Sequence, residues 1–270
     1  MYADGMKIVC LKGGLGNQMF EYCRFRDLME SGHDEVYLFY DHRRLKQHNG
    51  LRLSDCFELE LPSCPWGIKL VVWGLKICRA VGVLKRLYDD EKPEAVLIDD
   101  YSQHRRFIPN ARRYFFFRQF LAELQSGFVQ MIRAVDYPVS VHVRRGDYLH
   151  PSNSSFGLCG VDYFQQAIAY VRKKRPDARF FFFSDDMEWV RENLWMEDAV
   201  YVEHTELLPD YVDLYLMTLC RGHIISNSTF SFWGAYLAVD GNGMKIYPRR
   251  WFRDPTWTSP PIFSEEWVGL

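Results

Sequence analysis

The sequence has no cysteine pair at metal-binding or redox spacing. Its seven cysteines, Cys10, Cys23, Cys56, Cys64, Cys78, Cys159 and Cys220, are odd in number and scattered. That fits neither a disulfide framework nor a zinc site and points to a reducing compartment. Asp-x-Asp, His-Glu-x-x-His and Gly-x-Ser-x-Gly are all absent, which removes support for metal-bridged transfer and for triad hydrolysis. The formal net charge is only -2, so no global field draws in polyanions, and no nucleic-acid module is present. No apolar run is long enough to span a bilayer. The nearest approach, Trp66 to Leu84, is interrupted by Lys69, Lys76 and Arg79, each costly at a bilayer centre. The opening residues lack the charged, apolar and cleavage regions of a signal peptide, so the expectation is a cytoplasmic chain.

What is present is ordinary for a globular protein: 270 residues, 48% hydrophobic and 25% charged. That is enough chain for one large α/β unit or two compact domains. From about residue 136 onward, short β-branched or aromatic runs alternate with amphipathic stretches. Strands are predicted at Val139 to Val143, Arg179 to Phe183, Ala199 to Val202, His223 to Ser226 and Met244 to Tyr247. Helices are predicted at Val161 to Arg175, Met187 to Leu194, Tyr211 to Arg221 and Phe230 to Val239. This βαβ rhythm implies a parallel, doubly wound sheet. A second βαβ start opens the chain: strand Lys7 to Leu11, a glycine-rich turn, helix Met19 to Glu30, strand Val36 to Tyr40. The domains are placed at 1–135 and 136–250, with 251–270 as an irregular tail packing over them. Trp66 to Arg86 reads as an amphipathic helix whose basic face gathers Lys69, Lys76, Arg79 and Arg86. Such a face is either simply solvated or a dock for an anionic membrane surface.

Three polar clusters directly follow predicted parallel strands: His142-Val143-Arg144-Arg145-Gly146-Asp147, Ser184-Asp185-Asp186 and Ser226-Asn227-Ser228-Thr229-Phe230. The carboxyl ends of parallel strands share one edge of a sheet, so these clusters are expected to line one crevice. The guanidinium forks of Arg144 and Arg145 suit phosphate oxygens. Ser228 and Thr229 precede a helix start that favours an anion. Asp185 or Asp186 can accept two hydrogen bonds from a guanine edge. Each feature also has a structural reading: a surface ion pair for the arginines, a helix cap for the Ser-Asn-Ser-Thr run, a hydrogen-bonded core histidine for His142. In the first half, Gly13-Gly14-Leu15-Gly16-Asn17-Gln18 lacks both the third glycine of a Rossmann fingerprint and the lysine of a P-loop. Its glycines still admit close backbone approach.

Together, Gly13-Gly14-Leu15-Gly16-Asn17-Gln18-Met19-Phe20, His142-Val143-Arg144-Arg145-Gly146-Asp147-Tyr148 and Ser226-Asn227-Ser228-Thr229-Phe230-Ser231-Phe232-Trp233-Gly234 resemble the α-1,2-fucosyltransferases of glycosyltransferase family 11. The resemblance implies an α/β, GT-B-type fold with two Rossmann-like domains facing across a cleft, the first on the acceptor side. It implies GDP-L-fucose as donor and inverting transfer to the 2-hydroxyl of a galactoside, on an oligosaccharide or lipid-linked glycan, with no metal and no cofactor. Carried over, Arg144 is the diphosphate clamp, and Arg145 and Asp147 assist it. His142 and Asp185 face the guanosine. Ser226, Asn227, Ser228, Thr229 and Phe230 bind GDP-fucose, the last three as the segment that wraps the donor phosphates, while Gly14, Gly16 and Asn17 approach the cleft. The general base stays open among Asp147, Glu21 and the acids near Asp100. Rival readings are a fucosyltransferase of another acceptor linkage and a non-catalytic GDP-sugar-binding protein. The implied setting is a bacterial cytoplasm, with the basic helix as the one feature for peripheral contact at the inner membrane.

Overall fold

The computed structural model describes residues 5–46, 49–88, 94–124, 127–150, 155–203 and 209–270. Two compact units divide between Arg118 and Gln119, upstream of the sequence-based break at 135/136. The reason is that two short helices before the second sheet, α5 (Gln119–Ala122) and α6 (Gly127–Arg133), belong to the second unit.

In the first unit, β1 (Lys7–Leu11) feeds α1 (Leu15–Glu30) and then β2 (Val36–Tyr40). Short helices α2 (His42–Leu45) and α3 (Leu53–Cys56) lead to α4 (Trp66–Ala80), and a two-residue strand β3 (Leu97–Ile98) closes a parallel sheet of order β2-β1-β3. Helix α1 starts at Leu15, four residues earlier than the periodicity indicates, with Gly14 as an extended N-cap. The turn between β1 and α1 is therefore only Lys12 to Gly14, and Gly13 takes it at φ 70°, a conformation that costs a residue with a Cβ. Ile68, Val72 and Leu75 of α4 pack on Ile8, Cys10 and Leu97.

In the second unit, β4 (Tyr137–Val143), α7 (Val161–Lys174), β5 (Ala178–Ser184), α8 (Met187–Asn193), β6 (Val200–Tyr201), α9 (Tyr211–Thr218), β7 (Gly222–Ile224), α10 (Thr229–Tyr236) and β8 (Lys245–Tyr247) follow the expected rhythm. All pairings are parallel, in the order β6-β5-β4-β7-β8-β9. The last of these, β9 (Val268–Gly269), corrects the irregular tail: it pairs with β8 through Ile246 and Tyr247. Both faces of the sheet are covered, which is why β5 is the unbroken run Ala-Arg-Phe-Phe-Phe-Phe-Ser with all four phenylalanines fully buried. Phe180 and Phe182 join Phe164, Ile168 and Val171 of α7. The alternate positions face the other side, where His142 of β4 meets Phe230 of α10. Among the described residues no helix is long and apolar enough to cross a membrane.

Candidate functional site

The sheet order sets the site. Strand β4 lies between β5 and β7, so the chain leaving β4 at Arg144 is flanked on one side by Asp185 and on the other by Ser226. Arg144 donates from Nε to Asp147 Oδ1 at 2.8 Å, and its Nη1 lies 3.0 Å from Asp185 Oδ2. Arg145 donates its backbone N–H to Asp185 Oδ1 at 2.9 Å and its Nε to Asp186 Oδ2 at 3.0 Å. Its guanidinium also lies 3.9 Å from the Trp189 ring centroid, a cation–π contact. Both arginines are half-buried. Burial pulls the Arg144 pKa down, but Asp185 and Asp147 outweigh it and hold the pKa above the usual value. The result is two fixed guanidinium forks at the carboxyl edge of the central strand. At Gly146 an added Cβ would lie 2.9 Å from Asp185 Oδ2, so a side chain there would push that carboxylate out of its place beside the arginines.

His142 is buried, its Nδ1 3.1 Å from Ser226 Oγ and its ring 5.7 Å from that of Phe230. Burial, and then the Arg144 charge, push its pKa down to about 3, so the imidazole is neutral at ordinary pH. Ser228 is the N-cap of α10, with extended backbone and no side-chain cap bond. That leaves the start of the helix at the same edge, beside His142.

The geometry redistributes several expected roles. Asn227 is fully buried: Nδ2 donates to the carbonyls of Gly157 and Trp251 at 2.6 and 2.7 Å, and Oδ1 accepts from Cys159 Sγ. It is a brace behind the site, its side chain taken up by the protein instead of facing GDP-fucose. Ser226 is likewise buried and occupied with His142. Thr229 and Phe230 are half-buried at the start of α10. Asp186 accepts from Trp189 N as the N-cap of α8 and from Arg145, so its oxygens serve arginine placement and not a base edge. Asp185 holds Arg144 and Arg145 in the same way.

Tyr148 and Ser184 carry roles that the strand pattern alone does not assign. Tyr148 donates to the Asn227 carbonyl at 2.9 Å and stacks on Phe156. Ser184 donates to the Val143 carbonyl and accepts from Asp186 N. The signal for Tyr148 is its place at the end of the Arg144 motif. Beyond Tyr148 lies a cavity of about 760 Å³ lined by Tyr148, Phe156, Tyr163, Arg250, Arg253 and Leu270 among others, a volume typical of small-ligand sites. Arg144, Arg145 and Asp185 do not line it.

In the first unit, Gly14, Gly16 and Asn17 sit at the carboxyl edge of that unit's own sheet. Gly13, not Gly14 or Gly16, is the residue in the left-handed region, and an added Cβ there would meet Asn17 Nδ2 at 2.7 Å. Asn17 Oδ1 accepts from Gln103 at 2.9 Å. Glu21, one candidate base, is fully buried and accepts from Lys12 N at 2.8 Å. Burial raises its pKa well above the carboxylate range, and it braces the glycine turn from behind. Of the other acids, Asp99 is paired with Lys12, Lys76 and Arg79, while Asp100 is exposed just past β3 and accepts from Ser102 Oγ at 2.7 Å.

The model described as glycosyl transferase family 11 matches residues 110–270, which includes all three clusters of the second unit. An O-antigen biosynthesis glycosyltransferase, WbnK, of Escherichia coli is 25% identical over 97% of this chain and 99% of its own length. An α-1,2-colitosyltransferase of the same organism is 28% identical over 96% and 97%. The bovine galactoside 2-α-L-fucosyltransferase SEC1 is 27% identical over 98% of this chain and 74% of its own. Among solved structures, the α-1,6-fucosyltransferase NodZ co-crystallised with GDP superposes with a TM-score of 0.54, covering 86% of this chain and 92% of that one at 16% identity. That likeness shows the fold: the α/β, GT-B type.

Proposed function

The chain belongs to glycosyl transferase family 11, and from that premise we propose that it transfers L-fucose from GDP-L-fucose to the 2-hydroxyl of a terminal galactoside, inverting the anomeric carbon. One observation carries the reading: Arg144, just past the end of β4, is fixed between Asp147 and Asp185 beside the start of α10. As the bond between the anomeric carbon and the diphosphate oxygen lengthens, negative charge builds on the leaving phosphate. A cation already oriented there stabilises it without reorganisation. The backbone N–H groups at the start of α10 add donors of the same sign. Arg145 holds the loop through Asp186 and Asp185, and the neutral His142 offers a ring edge to the nucleoside without adding charge. The acceptor hydroxyl loses its proton late, as the new C–O bond forms. Asp147 is exposed but bound to Arg144 and Glu21 is buried, which leaves Asp100, exposed and bound to the Ser102 hydroxyl, as the candidate base.

The relatives support the sugar and the linkage: two of those compared are named for α-1,2-colitosyl and 2-α-fucosyl transfer. The test is incubation with GDP-L-fucose and lactose, followed by linkage analysis of the product. An α-1,2-linked fucoside is expected, and activity is expected to persist in excess chelator. Loss of activity on chelation, restored by magnesium or manganese, would overturn the guanidinium account. A second reading keeps the linkage and changes the sugar to colitose, as in the E. coli relative. Competing the two activated sugars in one assay separates the readings, since the true donor has the higher kcat/KM.

A further inference from the structure

Helix α4 is apolar on two opposite sides, and the fold uses only one of them. Ile68, Val72 and Leu75 face the sheet and are buried. On a 100° wheel, Trp66, Leu70, Trp73 and Ile77 fall diametrically across from them, and their exposures are 73%, 48%, 67% and 44%. The ridge continues past the helix end through Val81, Val83 and Leu84, each about half exposed or more. Taking a full indole as roughly 250 Å², the two tryptophans alone present about 350 Å². The whole ridge reaches on the order of 750 Å², more than soluble monomers usually leave uncovered. The basic face foreseen in the sequence turns out differently. Lys76 and Arg79 lie against the body of the unit, paired with Asp99. Lys69 on one flank and Lys85 and Arg86 at the far end are the cations beside the ridge, and no described acid pairs with them.

We propose that this ridge docks on a bilayer surface rich in anionic lipid, with Trp66 and Trp73 at the level of the headgroups. Tryptophans on an apolar stripe edged by Lys and Arg are the composition of an interfacial helix. A second copy of the chain fits less well. Self-association would bring Lys69, Lys85 and Arg86 toward their own images, and like charges set face to face oppose a dimer. The inference stands on the first unit alone and is independent of the proposed sugar transfer.

The test is co-sedimentation of the full chain with phosphatidylcholine vesicles and with vesicles one quarter phosphatidylglycerol. The wild type is expected to pellet with the mixed vesicles, less so as salt rises. The Trp66→Ala, Trp73→Ala double variant should need at least ~10-fold more lipid for half-binding. Lys85→Glu with Arg86→Glu should abolish the preference for phosphatidylglycerol. All four positions are exposed, so thermal midpoints should stay at the wild-type value, which checks that each variant is folded. Failure of folded wild type to pellet with either vesicle would overturn the proposal, as would wild-type pelleting by the double tryptophan variant. A dimer in analytical ultracentrifugation that those two substitutions dissolve would overturn it in favour of a second copy.

Discussion

Arg144 meets two carboxylates, Asp147 at 2.8 Å and Asp185 at 3.0 Å, and each fixes one side of the guanidinium plane. Replacing it with alanine is expected to lower turnover by ~100-fold or more, the scale of losing one oriented transition-state donor. Arg144→Lys should restore little, because an ammonium is a point charge without the fork. Initial rates on purified, folded variants check both. Gly146→Ala places a methyl against Asp185 and should reduce kcat while leaving the thermal midpoint close to wild type. The arginines were legible in the sequence because type and position after a strand suffice to suggest an anion site. The work of Asp185, Asp186 and Asn227 was not. Partners such as Arg145 and Gly157 lie 40 to 70 residues away, and the strand order decides who stands beside whom.

At the scale of elements, periodicity located β1, β2, β4, β5 and helices α7 to α10, since each has an unambiguous apolar rhythm, but not the short α5 and α6. It missed β3 and β9, two residues apiece, because so short a pairing is set by neighbours and not by pattern. It also placed the start of α1 late: Leu15 to Gln18 continue the helix through backbone bonds to Gly14, such as Gln18 N at 3.1 Å. For α4 the helix ends at Ala80, short of Arg86, so the expected basic face is broken, and with apolar residues on two sides the sequence could not say which side meets the sheet. Strand β5 gives the sharpest stability prediction. Phe181→Ala removes a fully buried ring from a face packed on both sides and should cost ~3–5 kcal/mol, read as a fall in the urea midpoint.

Across the whole molecule, two buried histidines make acid the weak direction. His142 and His223 each titrate near 6.5 when unfolded and about 3 when folded, chiefly through burial. As pH falls the unfolded chain takes up protons first, so their contribution to stability is complete above pH 6.5 and declines toward pH 3. His223→Asn should flatten the slope of urea midpoint against pH over that window, while a slope equal to wild type would remove His223 from the account. Five cysteines are buried and two, Cys64 and Cys78, are partly open, with none bridged. A thiol reagent should therefore label those two in the native protein and all seven only after unfolding, by mass spectrometry.

The uniformly parallel pairing of both sheets sets the tempo at which the protein assembles. Tyr137 meets Ala178, and Val139 meets Gly222, so neither contact can form through a tight hairpin. Each must wait for a long excursion of chain to close. High contact order of this kind belongs to slow folders. Stopped-flow refolding should therefore lag far behind the microsecond-to-millisecond range of helical bundles, and nascent chains will spend longest exposed before residues near 222 have emerged.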